Sequence, residues 1–182
     1  MARVPYVTKD ELSPTKKDIY DQIQKRRGHV PRPISVLLHQ PQAAARVAAL
    51  GEYARFDTSL DPVVRETTIL AVARETNCQY EWTHHAPLAE RADVREEVIE
   101  AIRDMRAPSG LLPEEGVFVQ YVQELLRTGV VSDATFQAVL DLLGPAGIAD
   151  LAVTVGYYGM LARIAGSFEV ELEEDRKPLL PE

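Results

Sequence analysis

Nine consecutive residues, Asn77-Cys-Gln-Tyr-Glu-Trp-Thr-His-His85, bring a thiol, a carboxylate and two imidazoles close together in the chain. A helix turns about 100° per residue. Counted from Cys78, Glu81 falls about 60° to one side, His85 about 20° on that side and Trp82 about 40° on the other. These four side chains share one face, and His84, about 120° away, lies on a flank. His85 is therefore the better partner for Cys78 and Glu81. Tyr80 lies about 160° from Cys78; it either shapes a pocket with Trp82 and His84 or faces a partner helix. Tyr80, Trp82 and His84 are the candidate substrate-binding residues.

Such a stripe can move protons. Imidazole titrates near neutrality, and a carboxylate can orient it or share its proton. Asn77 is a candidate cap for a helix that begins at Cys78, where the macrodipole and free amides favour thiolate. Glu81 opposes this as a nearby negative charge, and a protonated His85 would restore it; the sum is open. Each residue also has a plain structural reading: cysteine as a small core filler, tryptophan as core, histidine and glutamate as surface groups. Four such groups on a core-facing stripe are costly to bury without a purpose. A metal is not expected, because Cys78 and His85 stand seven positions apart, roughly 10 Å of helical rise, whereas zinc–ligand bonds are near 2 Å. No cofactor motif is present. His29 and His39 lie in or beside proline-containing connectors, and no spacing ties them to the stripe.

The elements that must position the stripe read as helices almost throughout. Ser13-Pro14 starts a helix that stops at Gly28. Val30-Pro31-Arg32-Pro33 reads as an extended connector. Pro41 opens a helix with apolar positions Ala44, Val47, Ala48 and Leu50, and Asp61-Pro62 opens another that runs to about Arg74. Pro87 should kink or end the helix of the stripe. Further helices are expected over Val94–Met105, Glu114–Arg127 and Ser132–Leu143, with Gly144-Pro145 as a break. The last, Ile148 to Ala165, is apolar on nearly every face, so it is central to the core or shared with another subunit. Residues 167–182 read as a charged arm over the surface or a neighbour. The expected organisation is all-α, with seven or eight helices in one domain, a core of residues 41–166 and an N-terminal helical extension, 13–28.

Composition bounds the function. The chain has 182 residues and a net charge of −8, from 20 basic and 28 acidic side chains. An acidic chain without a basic run repels phosphate backbones and anionic bilayers, so neither nucleic acid nor membrane is an expected partner. The apolar run from Gly147 to Gly166 carries Asp150 and Arg163, too close together for a span. Cys78 is the single cysteine. No apolar signal core follows Met1, so a reduced cytoplasmic setting is expected.

The run Arg65-Glu-Thr-Thr-Ile-Leu-Ala-Val-Ala73, followed by Cys78-Gln-Tyr-Glu-Trp-Thr-His-His85, resembles the carboxymuconolactone decarboxylase family, whose superfamily includes the alkylhydroperoxidase D branch. The peroxidatic branch carries a glutamate, then Cys-x-x-Cys, then a histidine. Glu66, Cys78 and His85 match the glutamate, the first cysteine and the histidine, and Glu81 stands where the second cysteine would be. Arg27-Gly-His-Val-Pro31, Leu38-His-Gln-Pro41, Ser132-Asp-Ala-Thr-Phe136 and Gly156-Tyr-Tyr-Gly-Met160 also look family-like. The resemblance implies an alkylhydroperoxidase D-like fold around an αα-hairpin and a trimer or hexamer with its site near subunit contacts. Glu81 cannot resolve a sulfenic acid, so dithiol cycling within one subunit is excluded. The resemblance leaves three readings. One is proton-transfer chemistry on a small organic acid or lactone, with His85 as general acid/base, Glu66 orienting it, Glu81 as a second proton carrier and Cys78 as a polar wall or auxiliary donor. The second is a one-cysteine thiol peroxidase acting on a peroxide with an external reductant. The third is a binding protein that kept the fold without the reaction. Arg65 and Arg74 are carboxylate anchors by residue type only, and a solvated helix face is the simpler reading of both.

Overall fold

A computed structural model describes residues 2–181. Among the described residues, eight α-helices are formed: α1 (Pro14–Arg27), α2 (Arg32–Leu37), α3 (Pro41–Glu52), α4 (Pro62–Glu75), α5 (Gln79–Arg91), α6 (Glu96–Arg103), α7 (Pro113–Thr128) and α8 (Asp133–Phe168). The all-α expectation and the helix number hold. Helix α4 is the hub, packed against α5, α6, α7 and α8. Its eight residues from Glu66 to Ala73 are buried without interruption, so every face of its middle is core. The Asp61 carboxylate caps it by accepting from the Val63 amide at 2.8 Å, and Pro62 fills the first position, where no amide partner is needed.

Several boundaries differ from the sequence expectation, each for a local reason. The Val30–Pro33 connector ends two residues early, at Pro31, because Pro33 sits in the first turn of α2, where its missing N–H costs nothing. Asn77 does not cap α5. It adopts φ 49°, a left-handed turn that asparagine tolerates, and Cys78 with extended φ/ψ is the N-cap. Helix α5 continues through Pro87 to Arg91; the bond forfeited to the Thr83 carbonyl is outweighed by packing on α4. Helix α6 is shorter than Val94–Met105, with Arg95 as its N-cap and Met105 at φ 54°.

Gly144, at φ 67° and ψ 177°, divides α8 into two arms, as the Gly-Pro pair foretold. By length and composition alone α8 could cross a membrane. In the fold its residues Leu151, Val155, Tyr157, Tyr158 and Leu161 are buried within the chain.

The residues after α8 form a strap on their own chain. Arg3 pairs with Glu169 at 2.6 Å, and the Tyr6 hydroxyl accepts from the Glu171 amide at 3.0 Å. The Thr83 hydroxyl accepts from the Leu179 amide at 3.2 Å, and Leu180 is buried. The strap therefore runs across the start of α5.

One glycine governs an inner contact. A β-carbon on Gly51 of α3 would overlap the Tyr157 hydroxyl and the Arg27 guanidinium. The tyrosine comes from the rigid core helix α8, so it cannot simply swing aside. Gly51→Ala is expected to cost about 1–3 kcal/mol by overpacking. That corresponds to a fall of about 2–4 °C in Tm per kcal/mol for a chain of this size. A thermal melt reads the loss, and Tyr157→Phe alone should not rescue it, because the ring carbon Cζ that phenylalanine keeps would also overlap the added β-carbon. A Tm for Gly51→Ala equal to that of the wild type would refute the contact.

Candidate functional site

The α4–α5 hairpin brings Glu66 and His85 together. His85 Nδ1–H donates to Glu66 Oε2 at 2.8 Å, and the second carboxylate oxygen accepts from Arg65 Nε at 3.2 Å. Glu66 and His85 are 5% and 3% exposed, so solvent does not compete for this bond. Desolvation alone would push the Glu66 carboxyl up. The hydrogen bond and charge of His85, with Arg65, outweigh it and hold Glu66 below the usual carboxylate range. Glu66 is thus an ionised acceptor that fixes the imidazole orientation and presents Nε2 outward.

Nε2 faces Glu81, whose Oε2 lies 3.7 Å away. That distance is too long for a hydrogen bond but short for proton exchange after a small rotation. Glu81 is fully enclosed, and desolvation raises its carboxyl above the usual range against the opposing charges of His85, Arg55 and Arg27. Of the two carboxyls flanking His85, one is therefore held charged and the other biased towards its proton. Two acids whose surroundings push them apart in this way divide the roles of base and acid.

Glu81 and His85 line a cavity of about 240 Å³. Tyr80 and His84 line it as well, at the strap. The Tyr80 hydroxyl donates to Glu173 at 2.9 Å and accepts from the Arg32 amide at 3.3 Å, and His84 Nε2 donates to the other Glu173 oxygen at 2.8 Å. Tyr80 and His84 stack with ring centroids 4.4 Å apart. Burial lowers the His84 pKa despite the opposing charge of Glu173.

The two remaining stripe residues turn elsewhere. Trp82 is in the main core and does not reach the cavity. Cys78 packs with Tyr80, Ala162 and Ala165 under Val170 and Leu172 of the strap, and it does not line the cavity either. The shared face counted from Cys78 therefore does not exist. Cys78 is the cap, outside the helical geometry on which the count depends. Burial, reinforced by the charge of Glu81, pushes its thiol up to about 12. The thiolate expected from a helix N-terminus is not favoured, because desolvation exceeds the effect of the amides. Among the described residues, no group of three histidine, cysteine, aspartate or glutamate side chains converges as a metal site.

The cavity also holds Arg27, Arg55, Tyr157 and Tyr158, which sequence reading missed, and His29, which it had set aside as untied to the stripe. Two family-like segments contained four of them, Arg27-Gly-His-Val-Pro31 and Gly156-Tyr-Tyr-Gly-Met160. Arg55 had no signal. It sits on a π-helical turn, Tyr53–Asp57, that runs on from α3. Asp150 ties both ends of the turn, accepting from Tyr53 at its start and from Ser59 just past its end, and Arg26 grips Asp57 through two bonds of 2.9 and 3.0 Å. Arg65 is spent on Glu66. Arg74 donates to the Arg103 carbonyl and to Asn77, so neither arginine is a ligand anchor.

Two outcomes follow from these environments. Cys78 should alkylate with iodoacetamide at about pH 8 far more slowly than a free thiol, and Leu172→Ala should accelerate it by thinning the strap; equal rates in both proteins would refute the sealed thiol. The folded Glu81 carboxyl binds its proton more tightly than the unfolded one, so stability is lost as pH rises above the ordinary value of 4.5. Glu81→Gln should therefore match the wild type in urea unfolding at about pH 4 and exceed it at about pH 8. The same difference at both pH values would show that the carboxyl is not perturbed.

Residues 41–124 match the carboxymuconolactone decarboxylase family. No curated protein matches the chain. Among solved structures, the chain is similar to an uncharacterised peroxidase-related protein with an alkylhydroperoxidase core from Ralstonia eutropha, at TM-score 0.76 and 17% identity over 96% of this chain and 93% of that one. A peroxidase-related protein from Silicibacter gives TM-score 0.75 at 17% identity over the same shares. A protein of unknown function from Agrobacterium tumefaciens gives 0.64 at 18% identity over 75% of this chain and 94% of that one. At these identities the structures speak for the fold alone. The chain thus has an alkylhydroperoxidase D-like fold, and its segment from α3 into α7 matches the carboxymuconolactone decarboxylase family, with glutamate where the dithiol branch carries its second cysteine.

Proposed function

We propose that the protein is an enzyme that moves a proton to or from carbon on a small organic acid or lactone, with decarboxylation or isomerisation as the outcome. The observation that carries this reading is the relay Glu66–His85–Glu81, which ends at a cavity that Cys78 does not reach. In a decarboxylation the bond to the departing carboxyl breaks, and its electron pair passes into an adjacent carbonyl to give an enolate. Glu81, biased towards its protonated form, delivers a proton to that carbon. His85 Nε2, unprotonated in the neutral ring, takes a proton from a water entering the cavity and passes it to Glu81, while Glu66 holds Nδ1–H and balances the transient positive charge of the ring. An isomerisation uses the same groups, with a proton removed from one carbon and returned to another.

The thiol peroxidase reading fares worse, because a nucleophilic thiol must be ionised and open to the substrate. Cys78 is neither: its thiol is pushed up to about 12 and packed under the strap. The reading as a binding protein called for a packed site with both carboxylates matched to arginines. Glu66 has Arg65, but among the described residues Glu81 forms no ion pair with an arginine and lies at the edge of a cavity. Self-association as a trimer or hexamer remains part of the proposal.

Incubation in D2O with a panel of small keto, unsaturated and lactone acids, followed by NMR, tests the reading through deuterium incorporation or loss of carbon dioxide. His85→Ala should lower the rate about 10²–10⁴-fold, and Cys78→Ser should keep it within about threefold. An inactive Cys78→Ser beside an active His85→Ala would reverse the assignment.

A further inference from the structure

The cavity contains more buried polarity than the chain itself satisfies. The Tyr157 and Tyr158 hydroxyls and Arg27 Nε are buried without a hydrogen-bond partner of proper geometry. All three residues line the cavity. An unmet buried donor forfeits its full hydration, so native folds seldom leave one, and three in one cavity point to a ligand.

The charges agree. Arg27 and Arg55 both bear on Glu81 and on Tyr157, yet neither forms an ion pair with a carboxylate among the described residues. Arg27 Nη2 donates to the Ala48 carbonyl at 3.3 Å, and the guanidinium also bears on the Tyr157 hydroxyl; neither partner is an anion. Arg55 lies over the Phe56 ring at 5.3 Å. The single carboxyl on this wall, Glu81, is the one whose burial favours the neutral form. The wall is therefore cation-rich, half out of solvent and without a counter-ion, an arrangement a protein sustains where an anion enters. The site is built and not incidental. The π-turn bearing Arg55 is pinned at both ends, by Asp150 and by Arg26, and Gly51 leaves room for the Tyr157 hydroxyl beside Arg27.

We propose that Arg27 and Arg55, with the hydroxyls of Tyr157 and Tyr158, form a carboxylate-binding subsite beside Glu81, which holds the substrate's anionic group while the relay acts on a neighbouring carbon. The proposal rests on the reading of this cavity as the substrate site for a small acid. A planar carboxylate suits the forked donors of arginine, and phenol hydroxyls can donate to the same oxygens. An amide of the same shape carries no charge and offers N–H groups to an arginine wall, so the subsite rejects it. The relay residues do not supply the affinity: Glu66 is already occupied by His85 and Arg65.

Isothermal titration of the full-length protein with benzoate and with benzamide tests this. Benzoate should bind the wild type at least about tenfold more tightly than benzamide, a contrast of the size expected for charge-assisted bonds. Arg55→Gln, at a half-exposed position that should tolerate it, should erase that contrast. Tyr158→Phe should weaken benzoate about threefold or more with little change for benzamide. Equal affinity for acid and amide, undiminished benzoate binding by Arg55→Gln, or no benzoate binding at all would overturn the subsite. The two readings fail separately. Charge-selective binding without any proton exchange in D2O would remove the proton-transfer reaction and leave the subsite, whereas exchange equally fast in the wild type and in Arg55→Gln would do the reverse.

Discussion

One buried hydrogen bond, from His85 Nδ1 to Glu66, organises this molecule. It crosses from α5 to α4, the helix whose middle is enclosed on all sides. A carboxylate placed there without a partner would carry several kcal/mol of uncompensated desolvation. The register of the hairpin is therefore tied to the contact: a rotation of α5 large enough to swing His85 away would strand Glu66 in the core. The same bond decides which imidazole nitrogen is available. Nδ1 is committed, so Nε2 is the nitrogen near Glu81. Stability and chemical orientation come from one interaction.

Helix α5 then sorts its neighbours by direction. Glu81 and His85 differ by four positions and share the cavity side. Trp82, one residue on, is in the core, and Cys78, at the cap, lies beneath the strap. A carboxyl at position 81 also works against the thiol whenever it ionises, because its charge then adds to burial in raising Cys78. Replacing the second thiol of a dithiol pair by glutamate thus does more than remove a resolving group. It makes the remaining thiol harder to ionise and gives the imidazole a second acid to exchange protons with. Both effects favour proton transfer over sulfur chemistry.

How much was legible follows the physics of each signal. Proline and capping residues act locally, so the starts of α1, α3 and α4 and the break at Gly144 could be read directly. Glu66 could be found by family likeness but not by periodicity, since it lies on another helix. Cys78 was misplaced because a helical wheel is valid only for residues with helical φ/ψ, and a cap has none. Tyr157 and Tyr158 sit in a run so apolar that it reads as core throughout, and nothing in that run distinguishes a satisfied phenol from an unsatisfied one. Arg55 is presented by a π-turn held through Asp150, ninety-five residues away in sequence. Contacts of that kind arise only once the helices have packed.

The strap closes the logic of the site. Glu173 takes one bond from Tyr80 and one from His84, so the segment that seals Cys78 also borders the cavity. Its hydrogen bonds to Tyr80 and His84, with the charge of His84, outweigh desolvation and hold Glu173 below the usual carboxylate range, leaving it an anion between two donors. At the cavity itself the strap presents Arg176, whose Nε lies 3.8 Å from Glu173, and the relay presents Glu81, whose burial favours its proton. Glu173 is thus answered by two donors and a cation, and among the described residues no second carboxylate faces the cavity to oppose an anion beside Arg27 and Arg55.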